Sequence, residues 1–297
     1  MPYASVLWPV FTIIAAAAQT VRNATQRDLT ETLGTVGATH VRFLFGFPFA
    51  LIFLAGATAV LAQPIPGTPP LFWLWVIGAA LTQIAATALM LAAMKERSFV
   101  VVYAYIKTEP VQAAVFGLVF LGDAVTPLLA AGILIATVGV VITALKPGAA
   151  FGIRPTLFGV AAGAMFAISA VGFRGAILSL GLPGYFMAAT FTLAIALLVQ
   201  AVLLSTYLAL RSPDVLRSIL AAWRLSLLAG FMGALASQFW FLAFALATAA
   251  SVRTLALVEV LFAQGVSRFV FKQPTPPREA VGIVLVVIGV ALLLYGS

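Results

Sequence analysis

Two acidic residues set within apolar sequence are the strongest candidates for chemistry in this chain. Glu109 and Glu259 lie 150 residues apart, each near the middle of a long apolar stretch. An ionisable side chain inside hydrocarbon is a functional candidate by default, and a carboxylate there could bind and release a proton. The alternative is structural, because buried carboxylates commonly pair with cations such as Lys107, Arg253 or Arg268. Both interpretations stay open on the sequence.

A basic side chain near the first carboxylate adds a possible binding group. Tyr103 and Lys107 stand one helical turn apart, so a helix would present a phenol beside an ammonium group. That combination suits a carboxylate on a bound molecule. The lysine could equally extend toward a membrane surface or neutralise either of the two acidic residues. Pro110 follows closely, and a proline within a helix frees the carbonyl four positions earlier, that of Ile106.

Amides beside aromatic residues form a second set of candidates, because ligand pockets are mostly apolar with a few placed polar groups. The residues predicted to bind a small amphipathic substrate are Gln83, Thr87, Tyr103, Lys107, Phe166, Ser169, Gln238 and Trp240. The alternative for the aromatic members is contact with lipid or other helices, since the chain has 23 Phe. His40, the single histidine, could carry a proton near neutral pH or serve as a structural hydrogen-bonding residue.

An internal repeat relates the two halves of the chain. Eight residues of the first half match the residues 150 positions later: Glu109, Ala113, Pro127, Ala130, Gly132, Ile133, Gly139 and Val140 against Glu259, Ala263, Pro277, Ala280, Gly282, Ile283, Gly289 and Val290. A five-residue insertion near Lys95 extends the match and sets Gln83 against Gln238. The sequence therefore predicts a duplication, with a first repeat at 1–147 and a second at 148–297.

Composition indicates that the solvent of this protein is lipid. With 63% hydrophobic and 8% charged residues, too few polar side chains exist to cover a soluble globule. The net charge of +8 comes from basic residues scattered among short loops, which argues against a nucleic-acid surface. The chain has no cysteine and one histidine, so we expect no metal and no cofactor. It also has no Gly-rich nucleotide cradle and no evident nucleophile–base pair, so we expect no enzyme activity.

Ten apolar segments are long enough to cross a bilayer as helices. They lie at 3–24, 34–62, 70–94, 98–121, 127–146, 155–179, 184–209, 222–246, 249–271 and 278–296. Each repeat holds five segments, and an odd number means that the second repeat enters the bilayer upside down relative to the first. The predicted fold is an all-α integral membrane protein with ten transmembrane helices arranged as two five-helix inverted-topology repeats. The polar stretch 211–224 is expected to form a short interfacial helix.

The distribution of Lys and Arg predicts an orientation. The loops after odd-numbered segments contain eleven basic residues: Arg22, Arg27, Lys95, Arg97, Lys146, Arg154, Arg211, Arg217, Arg224, Lys272 and Arg278. The opposite loops contain Arg253, with Arg174 near them. Because basic loops stay in the cytoplasm, both termini are predicted on the outer side of a bacterial-type inner membrane.

Several motifs resemble those of the EamA-type members of the drug/metabolite transporter superfamily. They are Phe120-Leu121-Gly122-Asp123-Ala124-Val125-Thr126-Pro127 with the following Gly132 and Gly139, Glu109-Pro110, and Thr39-His40-Val41-Arg42. The resemblance implies a ten-helix secondary transporter, commonly an exporter of amino acids or other small metabolites. It also implies cytoplasmic termini, opposite to the charge distribution, and the family usually has Glu where Asp123 and Gln273 stand.

The sequence and the resemblance together predict a secondary active exporter of small amphipathic metabolites, amino acids first. Alternating access would expose a central cavity between the repeats, with Glu109, Glu259 and His40 in coupling or at the repeat interface. The alternatives are a passive channel or facilitator, and a drug or nucleoside/sugar carrier on the same scaffold. The expected partners are a small-molecule substrate and the lipid bilayer, with a monomer and a homodimer both open.

Overall fold

The computed structural model describes residues 4–96, 99–144, 153–262 and 276–296, and this part of the chain is helical without strands. The helices are α1 Ala4–Leu44, α2 Gly46–Leu61, α3 Pro70–Glu96, α4 Phe99–Ile106, α5 Glu109–Leu121, α6 Pro127–Ala144, α7 Ile153–Ser179, α8 Tyr185–Arg211, α9 Pro213–Ala221, α10 Trp223–Leu246, α11 Ala249–Leu255 and α12 Pro277–Tyr295. A 3₁₀ turn, Ala256–Val258, follows α11, and residues 259–262 are helical again.

Within the described ranges, seven helical stretches are long and apolar enough to cross a membrane. They are Thr32–Leu61, Pro70–Met94, Pro127–Ala144, Ile153–Ser179, Tyr185–Arg211, Trp223–Leu246 and Pro277–Tyr295. A helix satisfies all of its backbone hydrogen bonds within one segment, which allows it to cross a bilayer. The chain is therefore a multi-pass membrane protein whose described secondary structure is helical, as its composition predicts.

The other three predicted segments differ from single long spans. The segment 3–24 corresponds to a shorter apolar helix, Val6–Arg22. The segment 98–121 is divided into α4 and α5, and the segment 249–271 into α11, the 3₁₀ turn and residues 259–262. Residues 263–271 of the last segment lie outside the described residues. The arrangement as ten transmembrane helices stays a prediction.

Helix α1 contains a reversal of chain direction at Gly34, directly after the connection that the sequence predicted at 25–33. Gly34 has φ +67° and ψ 175°, a conformation that L side chains rarely adopt. A Cβ added to Gly233 of α10 would lie 3.0 Å from Arg42 Cγ and 3.5 Å from Arg22 Cδ. In a continuous helix those arginines would be about 30 Å apart. The two parts of α1 therefore form a hairpin, with helix on both sides of Gly34.

The chain forms two compact units, and each contains sequence from both halves. Unit 1 comprises Met1–Ile84 and Gly172–Leu246, and unit 2 comprises Ala85–Val171 and Ala247–Ser297. The predicted repeats at 1–147 and 148–297 are units of sequence, whereas these are units of packing. Helices α3 and α7 each contribute residues to both units.

Unit 1 is built on close contact of α10 with α1 and α2. A Cβ on Gly230 would lie 2.5 Å from Phe45 Cβ, so only glycine permits this approach. Helix α9, at the predicted interfacial position, packs the fully buried Ile219 against Leu29 and Leu33 of α1. Its opposite side carries the exposed pair of Asp214 and Arg217. Apolar residues on one side and charged residues on the other are typical of an interfacial helix.

Unit 2 contains a glycine contact between α6 and α12. A Cβ on Gly132 would lie 2.8 Å from the carbonyl oxygen of Gly289, and one on Gly139 would lie 2.7 Å from that of Gly282. Small residues let helix backbones approach closely in membranes, where apolar burial provides little driving force. These glycines therefore pack α6 and α12 of one chain together.

Candidate functional site

An interruption between α4 and α5 places Lys107 and Thr108 in a turn. The Thr108 hydroxyl donates to the Tyr105 carbonyl at 2.7 Å, and the Gln112 side-chain amide donates to the Thr108 hydroxyl oxygen at 3.0 Å. The first bond satisfies a carbonyl that an unbroken helix would pair along its axis, and the second joins the turn to α5 through side chains. Pro110 lies in the first turn of α5, where its missing N–H removes no helical hydrogen bond.

A second interruption follows α11 at the corresponding place in the second half of the chain. Thr248 caps the start of α11, with its hydroxyl oxygen accepting from the Ser251 N–H at 3.2 Å. The α-helical pattern then changes to the 3₁₀ turn Ala256–Val258, directly before Glu259. Glu109 likewise directly follows the turn at Lys107 and Thr108. Each carboxylate predicted from the sequence thus stands immediately after a helix interruption.

Two ion pairs in unit 2 connect these interruptions, and we call their four residues the charge cluster: Lys107, Glu109, Arg253 and Glu259. The Lys107 ammonium pairs with the Glu259 carboxylate. Arg253 Nε lies 2.9 Å from Glu109 Oε1, in a contact whose geometry is that of an ion pair and not of a directed hydrogen bond. Each cation comes from one half of the sequence and its carboxylate from the other, so the pairs are crossed.

Burial makes these ion pairs sensitive to any change of charge. The side chains of Lys107 and Glu259 are 10% and 12% exposed, and those of Arg253 and Glu109 are 15% and 11% exposed. Two cations and two carboxylates balance in formal charge, which a low-dielectric interior requires. Removing or protonating one member leaves the charge cluster with an unbalanced buried charge. The cluster can therefore respond to a proton or to a charged ligand.

Helix α7 packs beside the first interruption in unit 2. A Cβ on Gly159 would lie 2.7 Å from Tyr105 Cβ, and one on Gly163 would lie 3.1 Å from the Ile106 carbonyl oxygen. Phe166, further along α7, packs against an apolar cluster that includes Ala93, Val102, Ile106 and Ala162. Ser169 is 1% exposed, and its hydroxyl has no hydrogen-bond partner among the described residues. Thr87, on the part of α3 that belongs to unit 2, is 8% exposed.

The two amides that the predicted repeat sets against each other, Gln83 and Gln238, both contact α8 in unit 1. Gln83 Oε1 accepts from Gln200 Nε2 at 2.6 Å, and Gln238 Nε2 donates to Thr190 Oγ1 at 2.8 Å. Thr190 and Gln200 are ten residues apart on α8, which is about 15 Å along a helix. The structure therefore does not bring Gln83 and Gln238 together. Each of them contacts α8 at a different position along that helix.

Two further predicted residues make hydrogen bonds within unit 1. Trp240 is 5% exposed, and its indole N–H donates to Gln19 Oε1 at 3.2 Å. His40 is fully buried, and its Nε2 lies 2.9 Å from the Ser205 hydroxyl oxygen. Arg174 donates to the Phe244 carbonyl near the end of α10 at 2.6 Å, where a cation also complements the helix dipole.

Some candidates lie beyond what the structure describes, and some partners were missed from the sequence. The side chain of Tyr103 and the whole of Arg268 lie outside the described residues. Gln200 was missed, although a lone amide near the middle of an apolar segment is itself a signal. Thr190 and Ser205 carry no such signal, because helical Ser and Thr commonly bond their own backbone. Among the described residues, no three His, Asp or Glu side chains group as a metal site.

The fold and the charge cluster define a class: a multi-pass helical membrane protein with buried ion pairs at interrupted helices. Residues 6–145 match the EamA-like transporter family, which confirms the resemblance seen in the motifs. The match covers a little less than half of the 297 residues, and members of that family are transporters, so this part of the chain is similar to membrane transporters of the drug/metabolite transporter type.

Comparison with other proteins adds a likeness of fold. A solved crystal structure, described only as that of a protein, is similar over 97% of this chain and 95% of its own, with a TM-score of 0.70 and 16% identity. At this identity the likeness shows the fold alone. No curated protein matches the chain.

Proposed function

We propose that this protein is a secondary active transporter that exports small amphipathic metabolites, with amino acids as the first class, by alternating access. The observation that carries the proposal is the charge cluster, which places four buried ionisable groups at two interrupted helices. Transporters use discontinuous helices to present charged groups and backbone dipoles to a substrate near the middle of the membrane. Such charges are expensive in a membrane and are retained where they serve function.

Alternating access requires two halves that can exchange roles, and inverted repeats supply them. Contacts within unit 2 support such a relation. Under the 150-residue offset Gly132 corresponds to Gly282 and Gly139 to Gly289, and the observed contacts join Gly132 to Gly289 and Gly139 to Gly282. A two-fold axis between α6 and α12 exchanges one contact for the other. The proposed architecture is accordingly ten transmembrane helices in two inverted repeats.

The charge cluster would couple transport to the state of its ion pairs. A proton on Glu259 removes the attraction to Lys107, and a substrate carboxylate near Lys107 competes with Glu259 for the same ammonium. Either event weakens a bond between elements that follow different helix interruptions. Because interrupted helices have few hydrogen bonds to break at the turn, they are suited to move when this bond opens.

Counter-flow in proteoliposomes tests this proposal. Vesicles containing the purified protein are loaded with unlabelled amino acids, one at a time, and uptake of the labelled amino acid is followed with and without a pH gradient. A carrier shows saturable uptake that the internal amino acid stimulates, whereas a channel shows neither property. Absence of stimulated uptake for every amino acid would refute this substrate class and direct the same assay to nucleosides, sugars and cationic drugs.

Matched variants assign the activity to the charge cluster. Glu259→Gln removes a charge from a buried ion pair, and Asp214→Asn removes one from the exposed pair of α9, where the Asp214 side chain is 88% exposed. We expect Glu259→Gln to lose the response of transport to the pH gradient, while Asp214→Asn retains it. If transport responds equally to the pH gradient in wild type, Glu109→Gln and Glu259→Gln, neither glutamate is the proton carrier.

A further inference from the structure

Gln238 of α10 is a buried amide whose two polar atoms are in different situations. The residue is 6% exposed. Its Nε2 donates to Thr190 Oγ1 at 2.8 Å, while its Oε1 is buried without a hydrogen-bond partner among the described residues. An unpaired acceptor costs free energy when it is shielded from water, and such atoms in native structures call for an explanation.

The neighbouring threonine determines which end of the amide faces it. The Thr190 hydroxyl donates to the Phe186 carbonyl at 2.8 Å, one helical turn earlier on α8. A hydroxyl has one hydrogen, so Thr190 Oγ1 can only accept a second hydrogen bond. A flipped Gln238 amide would set two acceptors against each other. The hydrogen-bond network therefore requires Nε2 toward Thr190 and directs Oε1 away from it.

The corresponding amide of the first repeat does not share this feature. The carbonyl oxygen of Gln83 accepts from Gln200 Nε2 at 2.6 Å. Both amides are anchored on α8, but the anchor satisfies the oxygen of Gln83 and the nitrogen of Gln238. Because Thr190 binds the amide nitrogen of Gln238, the carbonyl oxygen of Gln238 stays available as an acceptor. A glutamine in the place of Thr190, donating as Gln200 does to Gln83, would occupy that oxygen.

We infer that Gln238 Oε1 accepts a hydrogen bond from an N–H or O–H donor on the transported molecule, and that Thr190 is the positioning residue that orients it. This inference rests on the proposed transport function and deepens it by assigning the polar group that the substrate must carry. An ammonium or a hydroxyl group completes the hydrogen bonding of the site. A molecule with hydrogen in that position leaves the acceptor unpaired and binds less well.

The test uses three competitors of counter-flow that differ in a single group: phenylalanine, 3-phenyllactate and 3-phenylpropanoate. They carry an ammonium, a hydroxyl and a hydrogen at the same carbon. In wild-type protein we expect each donor-bearing competitor to inhibit about tenfold more strongly than 3-phenylpropanoate, the size of one hydrogen bond to a buried partner. The ratio between the first two shows which donor the acceptor prefers.

Three variants then connect that preference to the named atoms. Gln238→Met keeps the length of the side chain without a polar acceptor and should reduce the tenfold preference to nearly one. Thr190→Val removes the hydroxyl that orients the amide and should reduce it partly, whereas Thr190→Ser should retain it. A preference that is the same in wild type and Gln238→Met would overturn the inference while leaving the transport function intact.

A second measurement keeps the inference testable if none of these compounds is transported. Loss of all exchange would refute amino acids as the substrate class. Thermal unfolding without ligand then tests whether Oε1 has a hydrogen-bond partner. Gln238→Met removes the hydrogen bond to Thr190 together with the acceptor, so it is compared with Thr190→Val, which removes that hydrogen bond alone. If Oε1 is unpaired, Gln238→Met should unfold at or above the temperature of Thr190→Val. A Gln238→Met variant that unfolds several degrees below Thr190→Val would show that Oε1 is already satisfied, and the inference would be wrong.

Discussion

Breaking the buried ion pair of Lys107 and Glu259 should destabilise the protein far more than breaking an exposed one. The two side chains are 10% and 12% exposed, so neither regains full hydration when its partner is removed. Removing one member of a buried pair costs about 3–5 kcal/mol, because the remaining charge is left uncompensated. For a chain of this size that corresponds to a decrease in unfolding temperature on the order of 10 °C. Glu259→Gln and Lys107→Met are each expected to show it.

The double variant separates the cost of an unpaired charge from the value of the pair itself. Replacing both members by apolar residues of similar volume is often neutral for stability, so Lys107→Met with Glu259→Met should recover most of the lost unfolding temperature. Thermal unfolding in detergent micelles measures all three variants, and Asp214→Asn is the exposed control. An exposed pair is worth at most about 1 kcal/mol, so the control should remain within a few degrees of wild type.

The same variants distinguish a structural charge cluster from a functional one. If the pairs only hold unit 2 together, the apolar double variant should be both stable and active in counter-flow. If they take part in transport as proposed, it should be stable and inactive. Single variants that unfold at the wild-type temperature would contradict this prediction, because an unbalanced charge in the cluster would then have no cost in stability.

Three further predictions concern packing and orientation. Gly139→Ala should lower the unfolding temperature by several degrees, because its Cβ would lie 2.7 Å from the Gly282 carbonyl oxygen, whereas Gly78→Ala, with nothing within 4 Å, should be neutral or slightly stabilising. Gly34→Ala should cost on the order of 1–3 kcal/mol, because φ +67° with ψ 175° is a conformation essentially restricted to glycine, and an unchanged unfolding temperature in the same thermal assay would argue against the hairpin. A reporter enzyme that is active only outside the cytoplasm, fused after Ser297, should be active, given eleven basic residues on the opposite side; an inactive reporter with normal expression would reverse the orientation.

Hydropathy allowed most of the architecture to be predicted. Helix is the structure that pairs every backbone group within one segment, so a long apolar run in lipid has little choice of conformation. The segments 70–94 and 127–146, for example, correspond to Pro70–Glu96 and Pro127–Ala144. The family resemblance was also available from short motifs and is confirmed over residues 6–145. The substrate, the direction of transport and the roles of the predicted site residues stay predictions.

The two interrupted segments show where local sequence is insufficient. Pro110 indicated a weakened helix, and the structure has its turn at Lys107 and Thr108. Glu259 is followed by Val260 where Glu109 is followed by Pro110, yet α11 ends in a 3₁₀ turn before Glu259. The sequence predicted a connection at 25–33, but not that helix would continue up to Gly34 and that the reversal would be confined to this glycine. Single glycines are compatible with a helix, a turn or a close contact, and tertiary packing selects among them.

The sequence by itself indicated that this protein is helical, embedded in lipid and equipped with a few costly charges, and it predicted a duplication, since these properties depend on composition and spacing along the chain. Only the tertiary structure decided that Lys107 pairs with Glu259 and Arg253 with Glu109, and that Thr190 orients Gln238. Those partners are separated by 152, 144 and 48 positions. Hydrogen bonds and ion pairs act over a few ångströms, so the packing of helices determines which of these distant residues meet. The residues next to them in sequence do not indicate the partner.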